Sequence, residues 1–511
     1  MNRRQFFSRA GAAALAASRI AAAPAPARIR IRPIEFGTGK MVFCDWWFVE
    51  AGYGLAFSER QQLATRDGAV FMPRGVRLRA GRPRLTPAPV IRPDRPTDGV
   101  TMGGYCTLLK DGGKYRLWYE SYLPGLTKDE EVRICYAESD NGFDWVKPDL
   151  GILEYQGSKR NNLIYSRGHG ASVFIDPSAK PAERYKMVHL DKVPLQEHNG
   201  KQIEAFLFGA VSPDGICWTR LAEPVLKHTS DTQSVAEYDA GTGKYVAYVR
   251  GWEPQSNAGY GGRRIVMRTE SAEFGNFPAP TPVLSLGPHD PPDADIYTNA
   301  YQRWPGASRA YLMTPAIYHR SADTVDLRLA SSHDGVRWQF VQEEPFLPNG
   351  DAGSGCEGAI YAGRGTVPLG KATWAFPVTY SSRTHNMYFH PTPQEPTQGG
   401  VWLATLREDG YMALEAESEG EFWTQPATFT GSRLLIHCSG MKGARVKVEI
   451  SDREGKPMPG FALEECDGLS GEQLWSPMYW RGSSDVSGLR GQLVRVRFQL
   501  HRVRLHGFQF A

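Results

Sequence analysis

The chain has 511 residues, of which 41% are hydrophobic, 22% charged and 11% aromatic, a globular composition that excludes a disordered, collagen-like or coiled-coil protein. At ~150 residues per domain this is roughly three domain equivalents, or one large body with an appendage. The 54 glycines and 36 prolines are spread along the whole chain, which favours many turns between short strands and points away from helix bundles.

The N-terminus reads Met1-Asn2-Arg3-Arg4-Gln5-Phe6-Phe7, followed by an alanine-rich, weakly apolar stretch and Ala25-Pro26-Ala27. Paired arginines, aromatic residues directly after them and a small-residue cleavage site resemble a twin-arginine signal over residues 1–27. The alternative is an ordinary amphipathic N-terminal helix. Such a signal implies a bacterial chain exported already folded, to the periplasm or the medium. Without residues 1–27 the balance of 59 basic against 55 acidic residues becomes 55 against 55, because Arg3, Arg4, Arg9 and Arg19 leave and no acid does. A body with no basic excess argues against nucleic acid as partner, since phosphate neutralisation needs clustered Lys and Arg. No apolar run of ~20 residues follows, so the body is expected not to span a membrane. Seven widely separated cysteines without CxxC spacing form neither a zinc framework nor a dense disulfide scaffold, and only Cys438 and Cys466 are left as a pair that spacing neither joins nor separates.

Residues 28–95 are strand-like, with Met41 to Val49 the clearest segment, and are expected to complete a blade or line the mouth of the repeat that follows. From about residue 96 to 413 one unit recurs five times. Each copy opens on a short apolar strand and a turn, as in Tyr105-Cys106-Thr107-Leu108-Leu109-Lys110-Asp111 and Ser172-Val173-Phe174-Ile175-Asp176-Pro177. A second strand is centred on Tyr115, Tyr185, Tyr245, Tyr311 and Trp374, spaced by 70, 60, 66 and 63 residues. A third strand leads into a turn ending in an aromatic: Ser139 to Trp145, Ser212 to Trp218 and Ser332 to Trp338, with degenerate copies at Ser271 to Phe277 and Arg407 to Tyr411. Glycine supplies the positive-φ corner of these turns, and the tryptophan behind it packs between sheets. Five units of four antiparallel strands predict an all-β, five-bladed β-propeller over residues 28–413. The alternatives are a solenoid, whose repeats are usually shorter at ~20–45 residues, or a long β-sandwich. After Tyr411 strict alternation takes over, as in Arg445 to Ile450 and Leu493 to Phe498, and predicts a C-terminal β-sandwich over residues 415–511.

Innermost strands of a propeller start at one mouth of the central channel, so residues there converge from all blades. The third blade is entered through Asp231-Thr232-Gln233, the fourth through Asp295-Ile296-Tyr297-Thr298-Asn299 and the fifth through Ser354-Gly355-Cys356-Glu357. Three carboxylates therefore arrive together. Sugar hydrolysis needs two carboxyl groups, one protonated to release the leaving group and one ionised to attack or activate water, and a third nearby raises the acid's pKa. In that reading Glu357 is the general acid, Asp231 the base or nucleophile, and Asp295 the group that orients the sugar and tunes Glu357. The plainer alternative is that each caps a strand end or bonds a turn amide.

Tyr105 and His169, at the mouths of blades one and two, are candidates for hydroxyl recognition, and Gln233, Tyr297 and Asn299 are further substrate contacts beside the acids. Asp45 with Trp46 and Trp47 reads equally as an acid with an aromatic platform for a sugar face and as a blade-closing residue. Asp176 and Asp239 follow their inner strands and are expected to satisfy turn amides. Arg250, Arg263 and Arg264 fit an acidic sugar or a phosphate, but solvated strand edges are the preferred reading. No Gly-rich phosphate loop, HExxH, GxSxG or paired CxxC is present, so no cofactor and no metal site is expected.

Together the repeat, the blade-mouth acids and the C-terminal sandwich resemble the five-bladed glycosidases: the invertase and levanase superfamily of glycoside hydrolase family 32, and the arabinanases and β-xylosidases of family 43. The resemblance is nearest to bacterial family-32-like proteins, on Arg184-Tyr185-Lys186 and Ser332 to Trp338, and covers nearly all of residues 40–511. It implies an exported glycoside hydrolase acting on an oligo- or polysaccharide, of fructoside or arabinoside type. The Asn-Asp-Pro-Asn-Gly, Arg-Asp-Pro and Glu-Cys motifs of family 32 are not intact. Phe174 to Pro177 mimics the second in the wrong part of the strand, and Cys356-Glu357 reverses the third. What carries over is the order Asp, Asp, Glu from consecutive blades, shifted two blades along the chain. The alternatives are a non-catalytic glycan-binding propeller and a phosphorylase of the related family 130.

Overall fold

The computed structural model describes residues 33–50, 53–57, 63–124, 132–198, 201–253, 262–351, 356–389 and 398–511. The expected export signal, residues 1–27, lies outside them. The architecture is the expected all-β propeller followed by a sandwich. Blade one is Thr101–Asp111, Lys114–Tyr122, Val132–Ser139 and Leu163–Ser166. Blade two is His169–Ile175, Tyr185–His198, Lys201–Ser212 and Thr219–Leu226, and blade three is Val235–Asp239, Lys244–Trp252, Arg264–Ser271 and Thr281–Leu284.

Blade four has broken strands. Its second strand is split into Tyr311–Met313 and Ala316–His319 around Pro315, which cannot donate to a ladder. The halves pair into different sheets, and the inner half-strand Ala294–Ile296 joins the sheet of blade five. Blade five is Ala359–Ala362, Thr373–Ser381 and Val401–Arg407, and its outer strand is Arg84–Leu85, in register with Ala404 and Thr405. The segment ahead of the repeat thus completes a blade, as one of its two expected roles has it. The rest of that segment departs from the expected boundary of the propeller. Ile34–Gly37, Lys40–Val42 and Arg77–Ala80 are strands of the sandwich sheet, because their apolar residues, Phe36 and Met41 among them, face its core.

The sandwich is built on two long antiparallel strands, Leu434–Asp452 and Val494–Phe510, paired from Leu434↔Phe510 to Asp452↔Val494. Register shifts at His437/Cys438 and Gly440/Arg445 let the strands bend over a core in which Phe422 stacks on Phe498 and Phe429 on Phe510. Lys40 bonds Glu408 and Asp409 at 3.0 Å each, and the Trp304 indole donates to Asp409 at 2.8 Å, which ties the sandwich to the ring. All seven cysteines are free thiols, Cys438 and Cys466 included.

A repeated bond joins neighbouring blades. The acid that ends an inner strand accepts the phenol of the next blade's second strand: Tyr185 donates to Asp111, Tyr245 to Asp176 at 2.6 Å and Tyr311 to Asp239 at 3.4 Å. Asp176 and Asp239 also accept the amides of Ser178 and Gly241, the role expected of them, but only with one oxygen. The turns repeat as well. Ser139, Ser212 and Ser332 accept the amides of Gly142, Gly215 and Gly335, each at 2.9 Å, and the indoles of Trp145, Trp218 and Trp338 donate to the same glycines' carbonyls.

Arg364 fills the axis beyond the site end. It is 5% exposed, donates to the Val173 carbonyl and pairs with Glu237 at 3.2 Å, while its backbone bonds Cys106 and Leu108. Four blades are tied by this one residue. Because the Tyr245 phenol bonds a buried carboxylate, Tyr245→Phe is expected to lower stability by about 1.5–3 kcal/mol, the range for hydrogen bonds to charged groups, as read from urea unfolding midpoints.

Candidate functional site

Each of the five blades sends a side chain to one end of the axis. The ring of Tyr105 from blade one meets that of His169 from blade two at 5.6 Å and that of Tyr361 from blade five at 6.3 Å. Tyr297 from blade four lies 6.1 Å from Tyr361, and Thr232 from blade three donates to the Tyr105 hydroxyl at 3.4 Å. Local sequence produces this. Register shifts between Met102 and Cys106 and between His169 and Ser172 turn Tyr105 and His169 away from regular strand geometry. Gly170 has φ 65°, and a Cβ there would meet the Thr232 carbonyl oxygen at 2.2 Å, so only glycine lets blades two and three approach at this level.

Asp231 stands at this mouth with its side chain 53% exposed, and His169 Nε2 lies 3.1 Å from its Oδ1. Behind the imidazole, His169 Nδ1 is 3.2 Å from the Tyr122 hydroxyl and 3.6 Å from Glu120 Oε2. Glu120 is 1% exposed. Its other oxygen accepts the Gly170 amide, and the Ala171 amide at 3.4 Å. Burial works against a charge on His169, but Glu120 and Asp231 outweigh it and raise its pKa to about 10. Burial also works against the Asp231 carboxylate, yet the bond and charge of His169, with Arg250 and Arg264, hold it at about 2. Arg250 is 3% exposed, donates to the Tyr297 carbonyl at 2.9 Å and lies over the Tyr297 ring at 4.2 Å. It is therefore no solvated strand edge, contrary to the preferred expectation. Arg263 is spent on the carbonyls of Ala294 and Pro291.

The other expected site residues divide into those near the mouth and those engaged elsewhere. Glu357 is half-buried and precedes the inner strand of blade five at its mouth end, where its carbonyl accepts Asn349 Nδ2 at 3.2 Å. Asp295 is fully buried. It accepts the Arg264 amide at 2.8 Å and the Arg264 guanidinium at 2.7 Å, with Arg320 at 3.6 Å, so both oxygens are already paired and it cannot touch a sugar.

Gln233 and Asn299 are not the substrate contacts expected of them: both are buried and hold backbone. Gln233 Nε2 donates to the carbonyls of Cys106 and Ala171 at 2.9 Å each, and Asn299 bonds the Tyr248 carbonyl and the Tyr301 amide. Asp45 and Trp46 lie at the outer turn of blade four, not at the mouth. Asp45 bonds His333 at 2.6 Å and the Trp47 amide at 2.7 Å, while Trp47 stacks on His333, so the blade-closing alternative is the one this geometry fits.

The sequence reading missed Glu120, Tyr122, Tyr361 and His385. A charge inside the otherwise buried run Lys114–Tyr122 was the available signal for Glu120, since an unpaired carboxylate there would be costly. His385, from a short helix His385–Phe389, bonds the Tyr361 hydroxyl at 2.5 Å and packs on Tyr297 and Tyr318 at 4.4 Å each. Nothing in its local sequence marks it. Among the described residues, no group of three or more His, Cys, Asp and Glu side chains is placed to hold a metal ion, and no helix is long and apolar enough to cross a membrane.

The His169–Asp231 pair stabilises the fold in a defined window. The raised His169 contributes fully below its unfolded value of about 6.5 and loses its contribution as pH rises toward 10; the lowered Asp231 contributes fully above about 4 and loses it as pH falls toward 2. Urea midpoints of His169→Gln are expected to fall furthest below wild type between about pH 4 and 6.5, with the deficit shrinking on either side.

No family model matches the chain, and no curated protein matches it. Among solved structures it is similar to a glycoside hydrolase, at 15% identity over 63% of this chain and 92% of that one with a TM-score of 0.44. It is also similar to an N-acetylgalactosamine deacetylase from F. plautii, at 14% identity over 66% and 97% with a TM-score of 0.43. A GH32 beta-fructofuranosidase of Bombyx mori is similar at 11% identity over 84% and 94% with a TM-score of 0.39. What the chain's own strand order shows is the fold, an all-β propeller followed by a sandwich.

Proposed function

We propose that the chain is an exported carbohydrate-active enzyme that cleaves a glycosidic bond by carboxylate chemistry at the Asp231 mouth. One observation carries the reading: a half-exposed carboxylate, kept ionised by His169, stands where aromatic rings from blades one, four and five line the axis. A base or nucleophile has to be ionised at the working pH, and a value near 2 meets that need for Asp231. Glu357 at the mouth end of blade five is the proposed general acid. Tyr105, 1% exposed and enclosed between the rings of His169 and Tyr361, is too buried for the substrate contact expected of it, and Tyr297 offers only the 9% of its surface that is accessible. Asp295 acts at one remove, by fixing Arg264, whose guanidinium lies 5.4 Å from the Tyr297 ring. A twin-arginine-like leader over residues 1–27 supports a periplasmic or secreted location.

A second reading, a glycan-binding propeller without turnover, is favoured by the engagement of Asp295, which leaves two of the three expected acids for chemistry. A panel of oligosaccharides, read for both product and affinity, separates the two. Product formation, lost about 10²- to 10⁴-fold in Asp231→Asn, is expected. Glu357→Gln is expected to lose turnover on ordinary glycans and retain it on activated aryl glycosides, whose leaving groups need no proton. Affinity without product in the wild-type protein supports the second reading, and product only in the presence of inorganic phosphate identifies a phosphorylase.

A further inference from the structure

Glu120 has no place in the reaction as just described, since a carboxylate 1% exposed cannot meet a saccharide. Its surroundings are nonetheless built to hold it. One oxygen takes the amides of Gly170 and Ala171, at the bulge where the inner strand of blade two leaves regular pairing. The other lies 3.6 Å from His169 Nδ1 and 3.4 Å from the Tyr122 hydroxyl, which is itself 3.2 Å from the same nitrogen. On the far side of the ring, Nε2 faces Asp231 at 3.1 Å. An ionised carboxylate accepts hydrogen bonds and donates none; a neutral ring could accept the Tyr122 hydroxyl at Nδ1, but with protons on both nitrogens Nε2 donates to Asp231, Nδ1 donates to the hydroxyl oxygen and the hydroxyl donates to Glu120, which satisfies every group at once.

The other groups around the ring keep that arrangement in one protonation state. Tyr105 packs edge-on to His169, and burial pushes the phenols of Tyr105 and Tyr122 well above their usual range, so both stay neutral. Tyr297, from blade four, lies 6.1 Å from the Tyr361 ring, which itself lies 6.3 Å from that of Tyr105. Arg250 and Arg264, from blade three, add positive charge that favours the Asp231 carboxylate. Among the described residues, no other hydrogen bond reaches the Asp231 carboxylate, so Oδ1 is fixed by His169 while the remainder is open at the mouth.

We infer that Glu120 is a positioning residue for the reaction proposed above: it grips blade two and the His169 ring from behind, keeps that ring an imidazolium, and through it fixes which oxygen of Asp231 faces a substrate. The inference rests on the reading of Asp231 as the reacting carboxylate, but its first test does not need activity.

In the full-length protein with labelled histidine, nuclear magnetic resonance should find His169 an imidazolium throughout about pH 5 to 8. In Glu120→Gln, which keeps an oxygen for the Gly170 amide and removes the charge, the His169 midpoint should fall by about 1–3 pH units. The pH profile of turnover should then gain an alkaline limb at the same midpoint, and Glu120→Asp should restore part of the shift. A folded Glu120→Gln protein with an unmoved His169 midpoint overturns the inference. So does a wild-type His169 that titrates between about pH 5 and 8, a result that stands even where the variant fails to fold. A shifted midpoint in a protein without turnover on any glycan upholds the grip of Glu120 on His169 and overturns its role in positioning a reacting group.

Discussion

Closing the ring brings charged side chains from several blades into an interior that little solvent reaches, where Arg364, Asp295 and Glu120 each meet an opposite charge from a different blade and Arg250 is held by the Tyr297 carbonyl and ring. Arg364, Glu120, Arg250 and Asp295 are each no more than 5% exposed. A buried ion left alone costs several kcal/mol, far more than a surface pair is worth, so the pairing is a condition of closing the ring rather than an embellishment. Arg364 meets Glu237, Asp295 meets Arg264, and Glu120 meets His169 across a blade boundary. Inter-blade phenol-to-carboxylate bonds meet the same condition nearer the outside of the ring.

The site follows from an imbalance in that compensation. Most acids at the axis are enclosed on all sides, whereas Asp231 is held on one side and exposed on the other. His169 is what links the enclosed set to the exposed one: its ring touches a wholly buried carboxylate with one nitrogen and an accessible one with the other. The carboxylate at the mouth and the charge balance of the interior are therefore tied to the same imidazole, and a change that frees the mouth also unbalances the interior.

The repeat made the architecture legible before any coordinates. Aromatic residues at Tyr115, Tyr185, Tyr245, Tyr311 and Trp374 and the Ser-to-Trp turns are local signatures, and each has a local cause: a turn serine that accepts a glycine amide, an indole that reaches back to the same glycine. Asp231, Tyr105, His169 and Tyr297 were legible for a related reason, since each lies in or close to an inner strand of successive copies. What was hidden depends on partners hundreds of residues away. Asp295 and Asp231 look alike in sequence, and only Arg264, folded against one of them, separates their roles. Asp45 with two tryptophans reads as a platform until His333, 288 positions later, accounts for its second oxygen. His385 enters from a connection between strands of blade five and belongs to no repeat position at all.

The ring is latched by its own beginning. Arg84–Leu85 supplies the last strand of blade five, and Lys40–Val42 lies along Gly507, Phe508 and Gln509 at the other end of the chain. Such contacts between distant positions carry a high entropic cost of closure and make folding slow. During synthesis Arg84–Leu85 has no mate until Ala404 and Thr405 have been made, and Lys40–Val42 none until Gly507 to Gln509. The chain is thus committed to maturing late and as a whole, and for most of its assembly it presents unpaired strand edges to whatever else is nearby.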